Sequence, residues 1–224
     1  LALDDAVRED EGRGGRPVVG GELRLPGVDV GELARETVPA RLGERQLVRQ
    51  NDRADARNQH LELVVELVAA ANTLATGDDW SAGSARLARE WANIRSAVNW
   101  AIDTTRVDDV DRLLRDIHFF CRWTLDAEGA LWAQRAIERG PTTGACAGAP
   151  AHLHVGFQHI LAGDHAAALD VLRAGLQVRG TPSDRRWCRH GAALQLLRLG
   201  RAAEAAEQAA ADPEDASPRG VEAV

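Results

Sequence analysis

The chain has 224 residues, of which 45% are hydrophobic and 27% charged, a composition typical of a globular protein with a sizeable core. Its formal net charge of −7 argues against a nucleic-acid surface as its main role, because phosphate binding needs clustered cationic side chains. All 27 basic residues are Arg, so the usual Walker A loop, a Schiff-base enzyme and a Lys general base are excluded.

The first fifty residues have the weakest periodicity. Gly and Pro interrupt short apolar runs, which is typical of loops with at most one hairpin, and a helix is expected over 30–44. We interpret residues 1–50 as a small irregular segment. Because the chain starts at Leu1 rather than Met, a fragment or truncated gene product is expected, with an alternative start codon as the other reading.

The targeting features favour the cytoplasm. The polar, acidic start lacks the apolar core of a secretory signal. No stretch approaches the roughly 18 apolar residues that a membrane span requires. A cytoplasmic chain with no membrane partner is therefore expected.

Residues 51–140 are predicted to form a helical bundle. Apolar residues recur with the helical period in stretches over 52–73, 84–103, from Asp108 to about 121, and over 126–139. The inner faces of these four stretches are expected to contain Leu61, Val64, Val65, Val68 and Ala71; Leu87, Trp91, Ile94, Val98 and Ile102; Val110, Leu113, Leu114, Ile117, Phe120 and Cys121; and Leu131, Trp132, Arg135 and Ile137.

A Gly/Pro/Ala-rich stretch at 141–150 is predicted to be a flexible linker. Four more helical stretches follow over 151–161, 165–178, 183–199 and 202–211, before a tail at 212–224 that is expected to be disordered. A 37-residue repeat runs through them, since Gly156, Gly163 and Ala168 recur as Ala193, Gly200 and Ala205.

This spacing of small residues is typical of a helix-turn-helix repeat, in which Gly ends one helix and small side chains let the pair approach closely. The sequence thus predicts an all-α fold, in which antiparallel helical hairpins stack as a tetratricopeptide-like superhelix at 151–211. Such chains bury each hairpin against its neighbour and present a binding surface.

The helix at 87–101 carries a family resemblance. Its Leu-x-x-Glu-x-x-Asn-Ile-Arg-x-Ala-Val-x-Trp-Ala pattern resembles the helix that opens the tetratricopeptide-like region of actinobacterial signalling ATPases of the LuxR and AfsR types and of adenylate-cyclase-associated relatives. Residues 57–60 are similar to the Arg-x-x-His segment that precedes that helix, and 128–132 to the Glu-Gly-x-x-Trp segment that follows it. Residues 21–42 resemble a degenerate winged-helix tail.

The resemblance implies architecture and a sensing role. It does not extend to the ATPase, because no phosphate loop is present, nor to a cyclase carboxylate pair or a C-terminal DNA-binding helix-turn-helix. Direct nucleic-acid binding by this chain is therefore not expected. A protein or peptide partner, or a small ligand, is expected in a groove between hairpins, with no cofactor.

Two sets of residues are candidates for an interaction surface. Glu90, Asn93 and Arg95 share about one helical turn, and they either contact a neighbouring switch domain or tie their helix to the next hairpin. The second set is the only dense basic cluster in the sequence, which either contacts a phosphate or nucleic acid or forms a solvated helix end. It comprises Arg185, Arg186 and Arg189.

Other side chains are assigned to packing. Four Trp residues are expected to be core wedges, although they could line a pocket, and the three Cys residues show no metal or disulfide spacing. A metal protein or enzyme using His152, His159 and His165 is the alternative function, although no pair has i, i+4 spacing. The Trp residues are Trp91, Trp100, Trp123 and Trp132, and the Cys residues Cys121, Cys146 and Cys188.

The function expected from these observations is that of a non-catalytic interaction or sensor module. It would belong to a transcriptional regulator of the signalling-ATPase type and would lack the ATPase and DNA-binding domains.

Overall fold

The computed structural model describes the backbone of residues 30–77 and 79–210, with side chains from residue 50 onward. These residues form nine α-helices and no strand, which confirms the predicted all-α, helical-repeat fold. None of the described helices is both long and apolar enough to cross a membrane. The helices are α1 (Val30–Thr76), α2 (Trp80–Arg89), α3 (Trp91–Asp103), α4 (Val107–Thr124), α5 (Glu128–Thr143), α6 (Ala149–Leu161), α7 (His165–Gln177), α8 (Pro182–Arg198) and α9 (Ala202–Ala210).

The chain divides into two units, Leu1–Arg49 and Gln50–Val224. Within the segment predicted over 1–50, the helix expected over 30–44 is present as the start of helix α1, which begins at Val30 and continues without a break through the helix expected over 52–73 to Thr76. Residues 30–50 are rich in Glu, Arg, Leu and Ala, which favour helix. The rest of that prediction, 1–29, and the predicted tail at 212–224 lie outside the described residues.

The second unit is a row of helical hairpins. Helices α4 and α5, α6 and α7, and α8 and α9 pack as successive pairs. The first helices of these pairs also lie side by side, since α6 packs against both α4 and α8. Neighbouring hairpins therefore bury the surfaces where they touch. The remaining faces of α4, α6 and α8 lie next to one another and form one continuous surface.

The 37-residue repeat is visible in the turns of the last two hairpins. Gly163 and Gly200 adopt positive φ angles of 76° and 75°, which glycine accepts without a Cβ clash. The amide of the following residue bonds back to its helix in both turns, from Asp164 N to His159 O at 3.0 Å and from Arg201 N to Leu196 O at 2.8 Å. Both hairpins thus end their first helix in the same way.

A third copy of this turn ends α4, where the sequence repeat is not visible. Leu125 takes the left-handed conformation with φ 56°, and Asp126 N bonds to Cys121 O at 3.0 Å. A leucine occupies the position that glycine holds in the other two turns. The structural repeat is therefore longer than the repeat of small residues.

The predicted helix over 84–103 is two helices. The backbone leaves helical geometry at Glu90, with φ −93° and ψ 6°, between α2 and α3. Helix α2 begins earlier than expected, because the Asp79 side chain accepts a hydrogen bond from Ala82 N at 2.9 Å and caps it. Because of this break, α2 packs against α1 at Gly83, whereas α3 packs against α4 and α5.

The segment at 141–150 differs from the flexible linker predicted there. Helix α5 continues to Thr143, α6 begins at Ala149, and residues 147–150 are buried. Gly148 N donates to Asp111 Oδ1 at 2.9 Å, and a Cβ on Gly148 would lie 2.8 Å from Arg179 O. The small residues of this stretch serve close packing against α4 rather than flexibility.

Most of the residues assigned to packing are buried, with three exceptions. Helices α1, α3 and α4 bury nearly all the expected residues, and Val65 and Trp91 are half-buried. Leu131 and Trp123 are 62% and 69% exposed, and Arg135 is exposed as well, so the assignment of these three residues to packing is wrong. On α5 the buried side is formed by Trp132, Ala133 and Ala136. Leu131 precedes Trp132 by one residue, which turns its side chain by about 100° around the helix axis and away from this side.

Replacement of Gly83 by Ala is expected to destabilise the chain by about 1–3 kcal/mol. The new Cβ would lie 2.6 Å from Ala71 O on the α1 backbone, which outweighs the roughly 1 kcal/mol gained in helix propensity. Urea unfolding followed by circular dichroism measures the change. Gly191→Ala is the matched control, because its Cβ would meet only side-chain atoms of Leu172, with Cδ1 at 3.0 Å, and no backbone. Equal stability of the two variants would refute the backbone contact.

Candidate functional site

A groove runs across the row of first helices, and we call it the α4/α6/α8 groove. It contains two adjoining cavities of about 170 Å³ each, which share His118, Leu153 and Trp187. One cavity, termed the basic pocket, is lined by His118, Arg122, Leu153, Phe157, Ile160, Leu172, Trp187, His190, Gly191, Leu194, Gln195 and Arg198. The other, termed the polar pocket, is lined by Asn72, Leu114, Arg115, Asp116, His118, Phe119, Pro150, Leu153, Ser183, Asp184 and Trp187.

Aromatic contacts join the three helices along the groove. The Phe119 ring of α4 meets the Trp187 ring of α8 edge-on, with centroids 5.3 Å apart. The Arg122 guanidinium of α4 lies 5.3 Å from the centre of the Phe157 ring of α6. Phe157 and Trp187 are half-buried, so part of each ring remains available to a bound molecule.

Two buried imidazoles lie beneath the groove. His118 and His154 meet edge-on with centroids 5.0 Å apart. Burial lowers the pKa of His154 to about 4, and its Nε2 donates to Leu114 O at 2.8 Å. Burial, together with His154 and Arg122, holds the pKa of His118 well below its ordinary value. Both rings are therefore neutral near pH 7.

His118 has an unsatisfied polar atom. The residue is only 4% exposed, and its Nδ1 has no hydrogen-bond partner among the described residues. An unpaired buried polar atom destabilises a fold, and natural proteins leave few of them. This one belongs to a side chain that lines both cavities.

In the polar pocket, the acidic side chains are hydrogen-bonded to neighbouring residues of the chain. Arg115 binds Asp184 through two hydrogen bonds of 2.8 Å, and Asp184 also pairs with Thr181 in a capping box at the start of α8. Burial raises the pKa of Asp184, but the bonds from Arg115 and Thr181 outweigh it and lower the pKa overall. Asp116 accepts from Asn72 Nδ2 at 3.1 Å. These groups hold α1, α4 and α8 together.

The basic pocket has no such balance. Its lining contains Arg122, His190 and Arg198, and no carboxylate. Arg122 and Arg198 have no ion-pair partner within the part of the chain that the structure describes. The pocket is therefore an uncompensated cationic site in a chain with a net charge of −7.

The first set of predicted site residues stabilises the helix packing. Glu90 accepts from Asn93 Nδ2 at 2.7 Å, beside the break between α2 and α3. Arg95 binds Glu128 of α5 through two bonds of 2.8 Å, and Trp91 Nε1 donates to the same carboxylate at 2.6 Å. Arg95 thus ties its helix to the following hairpin, which was one of the two interpretations of this set.

The second predicted set lies on α8, apart from the first. Arg186 is exposed, whereas Arg185 and Arg189 are half-buried, and none of the three lines a described cavity of the groove. Their neighbour Trp187 does line it. The residues on α8 that face the groove are therefore offset by one or more positions from the cluster of Arg residues in the sequence.

The histidines of the alternative metal site are not brought together. His152 Nδ1 donates to Gly148 O at 3.0 Å, His165 contacts Gln195, and His159 lines a separate cavity between α5 and α6. Among the described residues, no group of three His, Cys, Asp or Glu side chains could hold a metal ion. Burial raises the pKa of Cys121 and Cys188 to about 12, so neither thiol is a ready nucleophile.

Sequence reasoning did not find the groove residues. A helical signal for them exists, since Leu153, Phe157 and Ile160 follow i, i+4, i+7 on α6, and Trp187, Gly191 and Leu194 do so on α8. Each stripe alone reads as an ordinary packing face. Only the side-by-side arrangement of α4, α6 and α8 makes the stripes one surface.

Comparison with known proteins gives no further guide, because no protein-family model, curated protein or solved structure matches this chain.

The free energy of unfolding is expected to fall as the pH drops from about 6.5 towards 4. In this range His118 and His154 bind protons in the unfolded chain but stay neutral in the folded one, because burial lowers their pKa. For His154 the loss is about 2 kcal/mol between pH 6.5 and 4.5, given a folded pKa of about 4. His154→Gln keeps a donor for Leu114 O without titrating, so its urea-unfolding free energy should vary less with pH. His159→Gln, on the other side of α6, should behave like the wild type. Equal pH slopes for His154→Gln and the wild type would refute the assignment.

Proposed function

We propose that this chain is a non-catalytic helical-repeat module that binds a segment of a protein partner in the α4/α6/α8 groove. The observation that carries the proposal is the pair of adjoining cavities across three first helices, lined by half-buried Phe157 and Trp187. Stacked hairpins generally use such extended surfaces for binding.

The chemistry of the groove supports binding rather than catalysis. Its acids, Asp116 and Asp184, are engaged with Asn72 and Arg115. Its buried imidazole, His118, is held neutral with a strongly lowered pKa, which makes it a poor base near pH 7. What the groove offers a partner is aromatic surface and cationic side chains.

The shape of the groove favours an elongated occupant. The two cavities share three wall residues and continue from Asn72 on α1 to Arg198 near the end of α8. A small ligand would fill one cavity, whereas a peptide segment would place side chains in both. We therefore favour a protein or peptide partner over a small ligand.

A role in regulation follows from the resemblance of the helix at 87–101 to signalling ATPases. We propose that the chain is the sensor region of such a cytoplasmic regulator. Occupation of the groove would favour one arrangement of the three hairpins, and a ligand shifts an equilibrium only by its differential affinity for the two states. The coupling would act on domains outside this chain.

Selection from a displayed random 12-residue peptide library on the purified chain tests the binding proposal. Selected peptides are expected to lose at least about tenfold in affinity when a charge enters the groove, a loss of about 1.4 kcal/mol. Leu194→Glu introduces that charge at a residue already 42% exposed, so folding should survive. Phe157→Glu provides a second variant on α6.

The control is Trp123→Glu, which changes an exposed aromatic residue of α4 outside both cavities. Thermal unfolding by circular dichroism confirms that each variant is folded. Failure to select any peptide, or peptides that bind both groove variants as well as the wild type, would overturn the proposal.

A further inference from the structure

The basic pocket is the part of the groove whose charge is uncompensated. Elsewhere in the second unit, several Arg side chains at helix contacts are paired with acids, as in Arg115 with Asp184 and Arg179 with Asp111 at 2.8 Å. Others, such as Arg57 over the Trp100 ring, make a cation–π contact instead. Arg122 and Arg198 have no such acid among the described residues, although the chain is acidic overall. An acidic group from outside the chain would complete this pocket.

The positions of the two Arg residues fit a bound anion. Both lie in the last turns of their helices, α4 and α8, where a cation complements the helix dipole. The helix dipole explains why both residues lie near the C-terminal ends of their helices. It does not explain why both side chains line the same cavity. Both face the same cavity, and Arg122 is held over the Phe157 ring.

A second observation points to a polar ligand in the same cavity. His118 lines the pocket, is more than nine-tenths buried, and has an Nδ1 without a partner. Within the described part of the chain, the Arg122 and Arg198 guanidinium groups therefore have no acidic partner, and the enclosed His118 Nδ1 has no hydrogen-bond partner. The remainder of the wall is apolar, and includes Ile160 and Leu194.

We infer that the basic pocket recognises a carboxylate side chain next to an apolar residue, so that the partner segment is an acidic, apolar peptide. This inference rests on the proposed function, because it assumes that the groove is the binding surface. It adds the chemical class of the partner and the residues that select it.

The energetics favour this class. Charge-assisted hydrogen bonds from guanidinium to carboxylate are stronger than neutral ones, and a partly enclosed apolar wall screens them less than water does. A cavity of about 150 Å³ holds benzene, so about 170 Å³ accommodates one aromatic or branched side chain beside the carboxylate. A cationic partner would face Arg122 and Arg198 and would be repelled.

The test begins with the peptides selected from the library. Asp or Glu next to an aromatic or aliphatic residue should be enriched among those that lose binding to Leu194→Glu. One such peptide, acetylated and amidated at its ends, is then compared with its Glu→Gln form by fluorescence anisotropy. The Glu form should bind the wild-type chain at least about tenfold more tightly at low salt, and this ratio should shrink as salt rises.

The Arg variants identify the source of the preference. Arg122→Gln and Arg198→Gln should each reduce the Glu-to-Gln affinity ratio to about threefold or less, while binding of the Gln form changes little. Arg186→Gln is the matched control, because Arg186 is exposed on α8 outside the pocket. It should leave the ratio unchanged.

The outcomes separate the two proposals. Groove-dependent peptides whose Glu and Gln forms bind equally would overturn this inference and leave the proposed function intact. The absence of any groove-dependent peptide would overturn both. Binding of 3-phenylpropionate without binding of any peptide would show a small acid as the ligand and would overturn the peptide class.

Discussion

The hairpin stack depends on helix crossings that have no room for a side chain. A Cβ on Gly83 would meet the α1 backbone, and one on Gly156 would lie 2.7 Å from Leu172 Cγ. At Gly148 the chain passes so close to α4 that its amide bonds directly to Asp111. Close approach at these points buries the neighbouring apolar residues and sets how near α2 lies to α1, α7 to α6, and the α5–α6 connection to α4.

That spacing produces the groove. Each second helix packs against the first helix of the next hairpin, α5 against α6 and α7 against α8, and the first helices α4, α6 and α8 lie in a row. The bidentate pair between Arg115 and Asp184 then joins α4 to the capped start of α8 across that row. The opposite end of the groove, at Arg122 and Arg198, has no equivalent ion pair among the described residues. An acidic group of a bound partner would supply the missing charge there.

Much of the helical architecture was predictable, whereas the site was not. Leu61, Ile94 and Leu113 are fully buried as their period predicts, because periodicity reports which side of a helix avoids water. The failures at Trp123 and Leu131 have the same origin: a hydrophobic residue at the edge of an apolar stripe is buried only if another helix covers it. The stretch at 141–150 was misread because small residues serve both flexible loops and tight packing.

The sequence by itself determined where most helical residues lie and how two hairpins turn, since these depend on neighbours within about one turn along the chain. The break at Glu90 between α2 and α3 was not among these features. The positive φ angles of Gly163 and Gly200 illustrate this local control. Only the tertiary structure decided that Arg122 and Arg198, 76 positions apart, share one cavity. Their juxtaposition depends on the distance and rotation between α4, α6 and α8, which are set by packing over the whole unit and have no local pattern.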